Sequence, residues 1–565
     1  MADSEHPILA SRPSRREVLA GLAGLGIGTA VFQRALAAQA ENGAVTAEMV
    51  QQAEWIAGIE LSEEERNAAA KEIEGDLKKY EALRQAAVGY DVPPALTFYP
   101  LPPQTSGGEI DRSAIVPIKR ADVRRPASDE ELAFLPVTQL AELLRTRQLS
   151  SVELTKLYLA RLRKYDELLK CVVTLTDEVA LKQAEQADKE IAAGNYRGPL
   201  HGIPWGAKDL IAYPGYKTTW GAGVFQEQTL DVKAAVAMRL EEAGAVLVAK
   251  LTLGALAWGD EWFGGMTRNP WQSQEGSSGS SAGSASAVVA GLVGFAIGSE
   301  TLGSIVSPSR RCSASGLRPT FGRVSRFGCM TLCWSLDKLG PICRSIEDCA
   351  LVLGAIHGYD ERDVASVTRQ FHWPPKREIS DLTVGYFQND KPLADRREIG
   401  VLERLGVTLK DIKLPSKLPI GPLTVILDTE SAAVFDPLTR AGIRDGIGKW
   451  AATFRQGQFV PAVEYLRANR VRTLLIQEME ELFKDIDAYV GGDDLVLTNF
   501  TGHPTVVVPD GEREGSTSGQ PGTITFTGRL FGETDLLSLA HAYQQTTTAH
   551  LRRPPLDKFL AEKSQ

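Results

Sequence analysis

Cysteine, histidine and long apolar runs are all scarce in this chain, and each scarcity closes off a class of function. Only six cysteines and seven histidines are spread over 565 residues. Cys329, Cys333, Cys343 and Cys349 fall close together, yet there is no CxxC pair or HExxH helix, and no histidine lies between 329 and 349. A site of thiolates and imidazoles needs such spacings. No metal is expected, and these four thiols, with Cys171 and Cys312, read as buried and free. A basic excess is missing too, the formal net charge being −9. Binding to phosphate backbones needs a basic field, so no nucleic acid is expected as a partner. Nothing repeats with the period of a solenoid, a collagen or a coiled coil. The apolar run Leu19–Phe32 has 14 residues before Arg34 closes it. A bilayer crossing needs roughly 20, so no stable membrane span is expected.

That run has a context of its own. Ser14-Arg15-Arg16-Glu17-Val18-Leu19 precedes it and resembles a twin-arginine export motif, while Ala35-Leu36-Ala37 offers small residues for cleavage. Residues 1–40 therefore read as a targeting segment cut after Ala37 or Ala40. The expectation is a periplasmic or secreted protein that meets the twin-arginine export machinery in transit.

Residues 41–129 read as a helical hairpin followed by an arm. Thr46 can cap a first helix whose apolar side includes Met49, Val50, Ala53 and Ile56. Ser62 and Glu65 make a capping box for a second, in which Ala69, Ile73, Leu77 and Tyr80 recur at helical spacing. From Val92 to about Ala127 seven prolines forbid regular helix and favour an extended strap. The main body, 130–565, begins with another capping box, Ser150 with Glu153. Strand and helix patterns then alternate between glycines, as at the buried strand Val246–Ala249, which predicts α/β layers around a sheet. Residues 400–490 read as mostly helical, Leu495–Pro509 as strand, and Leu536–Ala549 as a closing helix.

The chemistry concentrates in three stretches. Glu275–Ser286 is rich in glycine and serine, but it runs straight into the apolar Ala287–Ile297. A flexible linker would not, whereas small residues against a buried element let backbone approach a ligand. Gly298–Ile305 is a second small-residue turn, in which Thr301, Leu302, Gly303 and Ser304 can aim successive N–H groups at one oxyanion. A serine there needs a base. Gly198–Asp209 offers Lys208 after apolar and small residues, and a buried lysine loses its charge readily.

Together these blocks resemble the amidase-signature family over about 130–555. That resemblance implies a mixed central β-sheet covered by helices on both faces. It also implies a catalytic set of Lys208 as base, Ser280 in a cis peptide as proton relay and Ser304 as nucleophile. The separation of 24 between the two serines fits the family pattern. Further similar blocks are Cys312 with Gly316–Thr320, Ser335–Asp337 with Gly340-Pro341, and Thr498-Asn499 with Thr501–Pro504. Leu302, Glu300, Val306 and Ala282 depart from the common residues, and Gly254-Ala255 stands where acidic residues are frequent. The hairpin at 46–84 also resembles, faintly, the small C subunit of tRNA-dependent amidotransferases, and equally a generic hairpin.

The expected activity is hydrolysis of a small-molecule carboxylic amide through a Ser304 acyl-enzyme, with no cofactor and a homodimer left open. Two readings stand beside it: the glutaminase subunit of a tRNA-dependent amidotransferase, and an esterase or carbamate hydrolase on the same scaffold. Gly279-Ser280-Ser281-Ala282-Gly283 also satisfies GxSxG, which would make Ser281 the nucleophile, but that motif needs a strand directly before it. Trp258, Trp262, Phe263, Trp271 and Trp334 flank the blocks, as core or as pocket lining.

Overall fold

The computed structural model describes residues 45–88, 95–96, 115–118, 123–388, 391–492 and 494–563. The expected targeting segment and most of the proline-rich arm lie outside these residues.

Helix α1, Ala47–Ala57, starts where Thr46 Oγ1 accepts the Met49 N–H, and ends at Gly58 in a left-handed conformation. Helix α2, Glu63–Gln85, opens with the expected capping box between Ser62 and Glu65. The inward face of α1 differs from the periodicity. Val50 is buried, but Trp55 and Ile56 are each 74% exposed. The cause is polar. Glu54 turns inward to bind Arg66 of α2 at 2.7 Å, which rotates Ile56 outward. The hairpin docks through Tyr80 and Leu83, which join a cluster with Val425, Ala468 and Val471. Arg84 reaches Glu464 at 2.7 Å and Lys79 reaches Asp428 at 3.3 Å. Of the arm, Ala95 N–H donates to Asn469 O at 3.1 Å and Val116 N–H to Trp373 O at 3.1 Å.

Eleven strands form one mixed sheet. In chain order they are β1 Val172–Leu175, β2 Pro204–Lys208, β3 Val246–Leu251, β4 Phe295–Glu300, β5 Ser315–Arg318, β6 Lys338–Cys343, β7 Thr383–Tyr386, β8 Thr408–Asp411, β9 Ala488–Val490, β10 Thr505–Asp510 and β11 Gly522–Gly528. Their spatial order is β1-β3-β2-β4-β6-β5-β10-β11-β9-β7-β8. Strands β3, β2 and β4 run parallel, and β4, β6 and β5 continue antiparallel. Side chains alternate between faces along a strand. In β4, Phe295 and Ile297 enter one apolar cluster and Ala296 the other. The second cluster is covered by α3, Ser151–Leu169, and α4, Ala282–Val289. The first is covered by α5, Ile346–Ile356, and α6, Glu533–Gln545. The expected α/β architecture with helices on both faces is therefore present.

One expected strand is a helix. Leu495–Thr501 is helical, with only Thr505–Asp510 extended. Thr498 donates from both N–H and Oγ1 to Asp494 O, and Gly502 at φ 79° ends the turn. A short apolar run with β-branched residues does not reveal its own period once it is buried on all sides. Leu497–Thr501 is buried throughout.

Candidate active site

Lys208 is the last residue of β2 and is wholly buried. Its Nζ lies 2.8 Å from Ser280 Oγ, 3.1 Å from Ser281 Oγ, 2.9 Å from Ser299 Oγ and 3.3 Å from Ser299 O. None of these partners is charged. Burial pushes its pKa down to about 7, against the opposing pull of Asp337 and Glu300. Asp209, the next residue in the chain, is engaged elsewhere. Its carboxylate takes Lys250 Nζ at 2.7 Å and the Thr219 N–H at 2.8 Å. Adjacent residues of an extended chain point to opposite sides.

The Gly279–Ser280 peptide is cis, as the resemblance implies for this serine. A Cβ at Gly279 would lie 1.8 Å from Gly259 O, so only glycine fits there. Ser281 N–H donates to Ser304 O at 3.0 Å, which ties the glycine–serine segment to the turn carrying Ser304. The Ser281 hydroxyl is already engaged. It donates to Ser299 O at 3.0 Å and accepts the Ser299 N–H at 3.1 Å. The strand before it, Gln272–Gly276, belongs to a separate two-stranded ribbon with Arg268–Asn269, and the central sheet is not involved. The strand–turn–helix setting of a GxSxG nucleophile is thus missing at Ser281.

Ser304 is half-buried, in the turn between β4 and a short helix Val306–Cys312. Glu300 builds this turn. Its Oε2 accepts the N–H groups of Ile305 at 2.7 Å and Val306 at 2.9 Å. Its Oε1 accepts from Arg318 Nη1 and Asn499 Nδ2, each at 2.8 Å. Burial opposes the charge on Glu300, but Arg318, Lys338 and the backbone donors outweigh it and hold the carboxyl at about 2. On the other flank Thr301 Oγ1 donates to Asp337 Oδ1 at 2.6 Å, and Asp337 Oδ2 takes the N–H groups of Leu332 and Cys333. Gly303 holds φ 92°, a left-handed conformation that favours glycine. Among the described residues, no acceptor takes the N–H of Thr301, Leu302, Gly303 or Ser304. Leu302 leans against the cluster containing Leu336 and Leu497, with its N–H still available.

The flanking blocks thus form a supporting layer. Arg318, Asp337 and Asn499 all brace the turn, and none of those contacts is readable from the blocks taken singly. Ser299 and Lys338 had no sequence signal. Lys338 is a second buried lysine held near 7 by burial, with its ammonium donating to Leu336 O. The aromatics divide. Trp271 is core, its Nε1 bonded to Cys312 O at 2.9 Å, while Trp258, Phe263 and Trp334 are substantially exposed. The six cysteines are free, five buried and Cys329 partly so.

The architecture is thus an α/β fold, a large mixed sheet that carries a buried lysine–serine cluster at the end of a strand. The chain belongs to the amidase family, whose profile matches residues 153–492. A glutamyl-tRNA(Gln) amidotransferase subunit from Moorella thermoacetica is 33% identical over 488 residues, covering 75% of this chain and 99% of that protein. Its counterpart from a Marinomonas species is 31% identical over 485 residues, covering 75% and 99%. Among solved structures, the peptide amidase of Stenotrophomonas maltophilia superposes with a TM-score of 0.65 at 28% identity, covering 74% of this chain and 98% of that one. An amidase family protein from Bacillus anthracis gives 0.65 at 25%, covering 76% and 93%.

These relatives correct the expectation of export. They are named for amide transfer to glutamyl-tRNA, a substrate that belongs to the cytoplasm and that a periplasmic or secreted chain does not meet. The Arg15-Arg16 segment that suggested export lies outside the described residues.

Proposed function

We propose that the chain hydrolyses a carboxylic amide through an acyl-enzyme on Ser304, releasing ammonia or an amine. The observation that carries this reading is the uncharged surroundings of Lys208, whose Nζ lies 2.8 Å from Ser280 Oγ. At a pKa of about 7 the lysine is half neutral near neutral pH and can accept a proton. Neutral Lys208 draws the proton of Ser280, and Ser280 draws that of Ser304 as its Oγ attacks the carbonyl carbon. The oxygen then takes the negative charge within reach of the free N–H groups of Thr301–Ser304, where preorganised donors are strongest. Collapse breaks the C–N bond, the leaving nitrogen takes a proton from Ser280, and Lys208 returns one to Ser280. Water then attacks the ester by the same relay and frees the carboxylate.

A second reading has specific support. Two relatives more than 30% identical over three quarters of this chain are amidotransferase subunits, which favours a role as the amide-donor subunit of a tRNA-dependent amidotransferase. Both readings share the acyl-enzyme. Mass mapping after a fluorophosphonate probe tests it, with an adduct on Ser304 expected. An adduct on Ser281, or none on an active protein, overturns the assignment. Ammonia release from glutamine with acceptor-dependent stimulation would separate the amidotransferase role from a free-standing amidase.

A further inference from the structure

A surface cleft of about 380 Å³ lies against the turn that carries Ser304, lined by Ser278, Ser307, Arg310, Arg311, Arg513 and Thr523 among others. Its walls are continuations of the serine segments. Ser278 stands two residues before Ser280. Ser307 N–H donates to Gly303 O at 2.7 Å, and a Cβ on Gly303 would meet Ser307 Oγ at 2.9 Å, so Ser307 sits against the turn that carries Ser304. Three guanidinium groups face this cleft. Arg311 and Arg513 share one carboxylate, Glu275, at 3.2 Å and 3.4 Å, and Arg513 also donates to Gln520. Arg310 is exposed and has no partner among the described residues. A second carboxylate, Asp260, accepts the Ser278 N–H at 2.7 Å, so three cations face two carboxylates and the cleft keeps a net positive charge beside the turn that carries Ser304. Guanidinium recognises a carboxylate through paired N–H donors.

We propose that this cleft binds a carboxylate carried by the amide substrate, with Arg310 as its principal contact and Arg513 in support. The proposal rests on the amide-hydrolysis reading and adds the substrate class, an amide bearing an anionic carboxylate, which a neutral amide of equal length lacks. Arg310 acts here as a specificity residue, apart from the proton relay.

The test pairs 5-amino-5-oxopentanoate with the neutral pentanamide. Binding is measured calorimetrically on Ser304→Ala protein, and ammonia release on the Ser304 enzyme. The acid should bind about tenfold more tightly than the neutral amide, the scale of one charge-assisted contact. Arg310→Ala should bring the two within about twofold and leave pentanamide unchanged, and Arg310→Glu should reverse the order in favour of the cationic 5-aminopentanamide. Equal binding of the pair, binding of neither, or a preference that survives both Arg310 variants would overturn the cleft assignment. A preserved binding preference without turnover would instead count against the hydrolytic reading and leave the cleft standing.

Discussion

The pH dependence of turnover is where the Lys208 geometry is most exposed to refutation. The lysine is wholly buried with hydroxyl and carbonyl partners, which brings its pKa to about 7. If the neutral amine is the active form, kcat/KM follows its fraction, about a tenth near pH 6, half near pH 7 and nine tenths near pH 8. The rise from about pH 6 to about pH 8 should then be roughly tenfold and flatten above it, whereas a lysine at its ordinary value near 10.4 would give about hundredfold and keep rising. Ammonia release from a primary amide, measured at substrate well below KM, reads this directly. Lys338 shares the window, since burial brings it to about 7 as well. Lys338→Met should therefore keep the limb, while Lys208→Ala and Lys208→Arg should each lose about 10²–10⁴ in kcat. Arginine stays protonated and cannot accept the proton. The sign for stability follows from the same shift. The folded chain holds fewer protons at Lys208 between about pH 7 and the ordinary lysine value, so this group's contribution to stability rises with pH across that window. A profile still climbing tenfold per unit above about pH 8, or an active Lys208→Arg, would falsify the assignment of Lys208 as the base.

Other consequences are open to direct measurement. Ser304→Ala should abolish both the covalent adduct and turnover with the melting temperature nearly unchanged, because the turn is held by Glu300 and not by the Ser304 hydroxyl. Glu300→Gln leaves Arg318 as an uncompensated buried charge, and should cost about 3–5 kcal/mol in denaturant unfolding together with most of kcat; a variant as stable and as active as the parent would show that the turn does not depend on this pair. Removing residues 41–127 uncovers the cluster that Tyr80 and Leu83 close, so melting should fall and binding of an apolar dye should rise, with every group of the lysine–serine cluster retained. Unchanged melting of that truncated chain would mean that the docked hairpin contributes nothing.

Local chemistry was legible in the residues alone. Caps such as Thr46, Ser62 with Glu65 and Ser150 with Glu153 act over three residues, so spacing suffices to read them. The glycine–serine segment and the small-residue turn stand out for a related reason, since close backbone approach restricts residue choice at each position, whereas Lys208 is singled out only through the family resemblance. Elsewhere, side chains from distant elements decided the outcome. Glu54 turned α1 by pairing with Arg66, and Leu495–Thr501 is a helix where the composition reads as strand, because burial of Leu497–Thr501 hides the period of the run. Glu300, Arg318 and Asn499 meet across 199 residues of chain, and Asp209 serves Lys250 because the strand directs it away from its neighbour Lys208. Sequence specifies which groups are available and their local conformation. Which charge meets which, and so whether Lys208 is neutral, depends on burial and on partners that only the folded chain brings within a few ångströms.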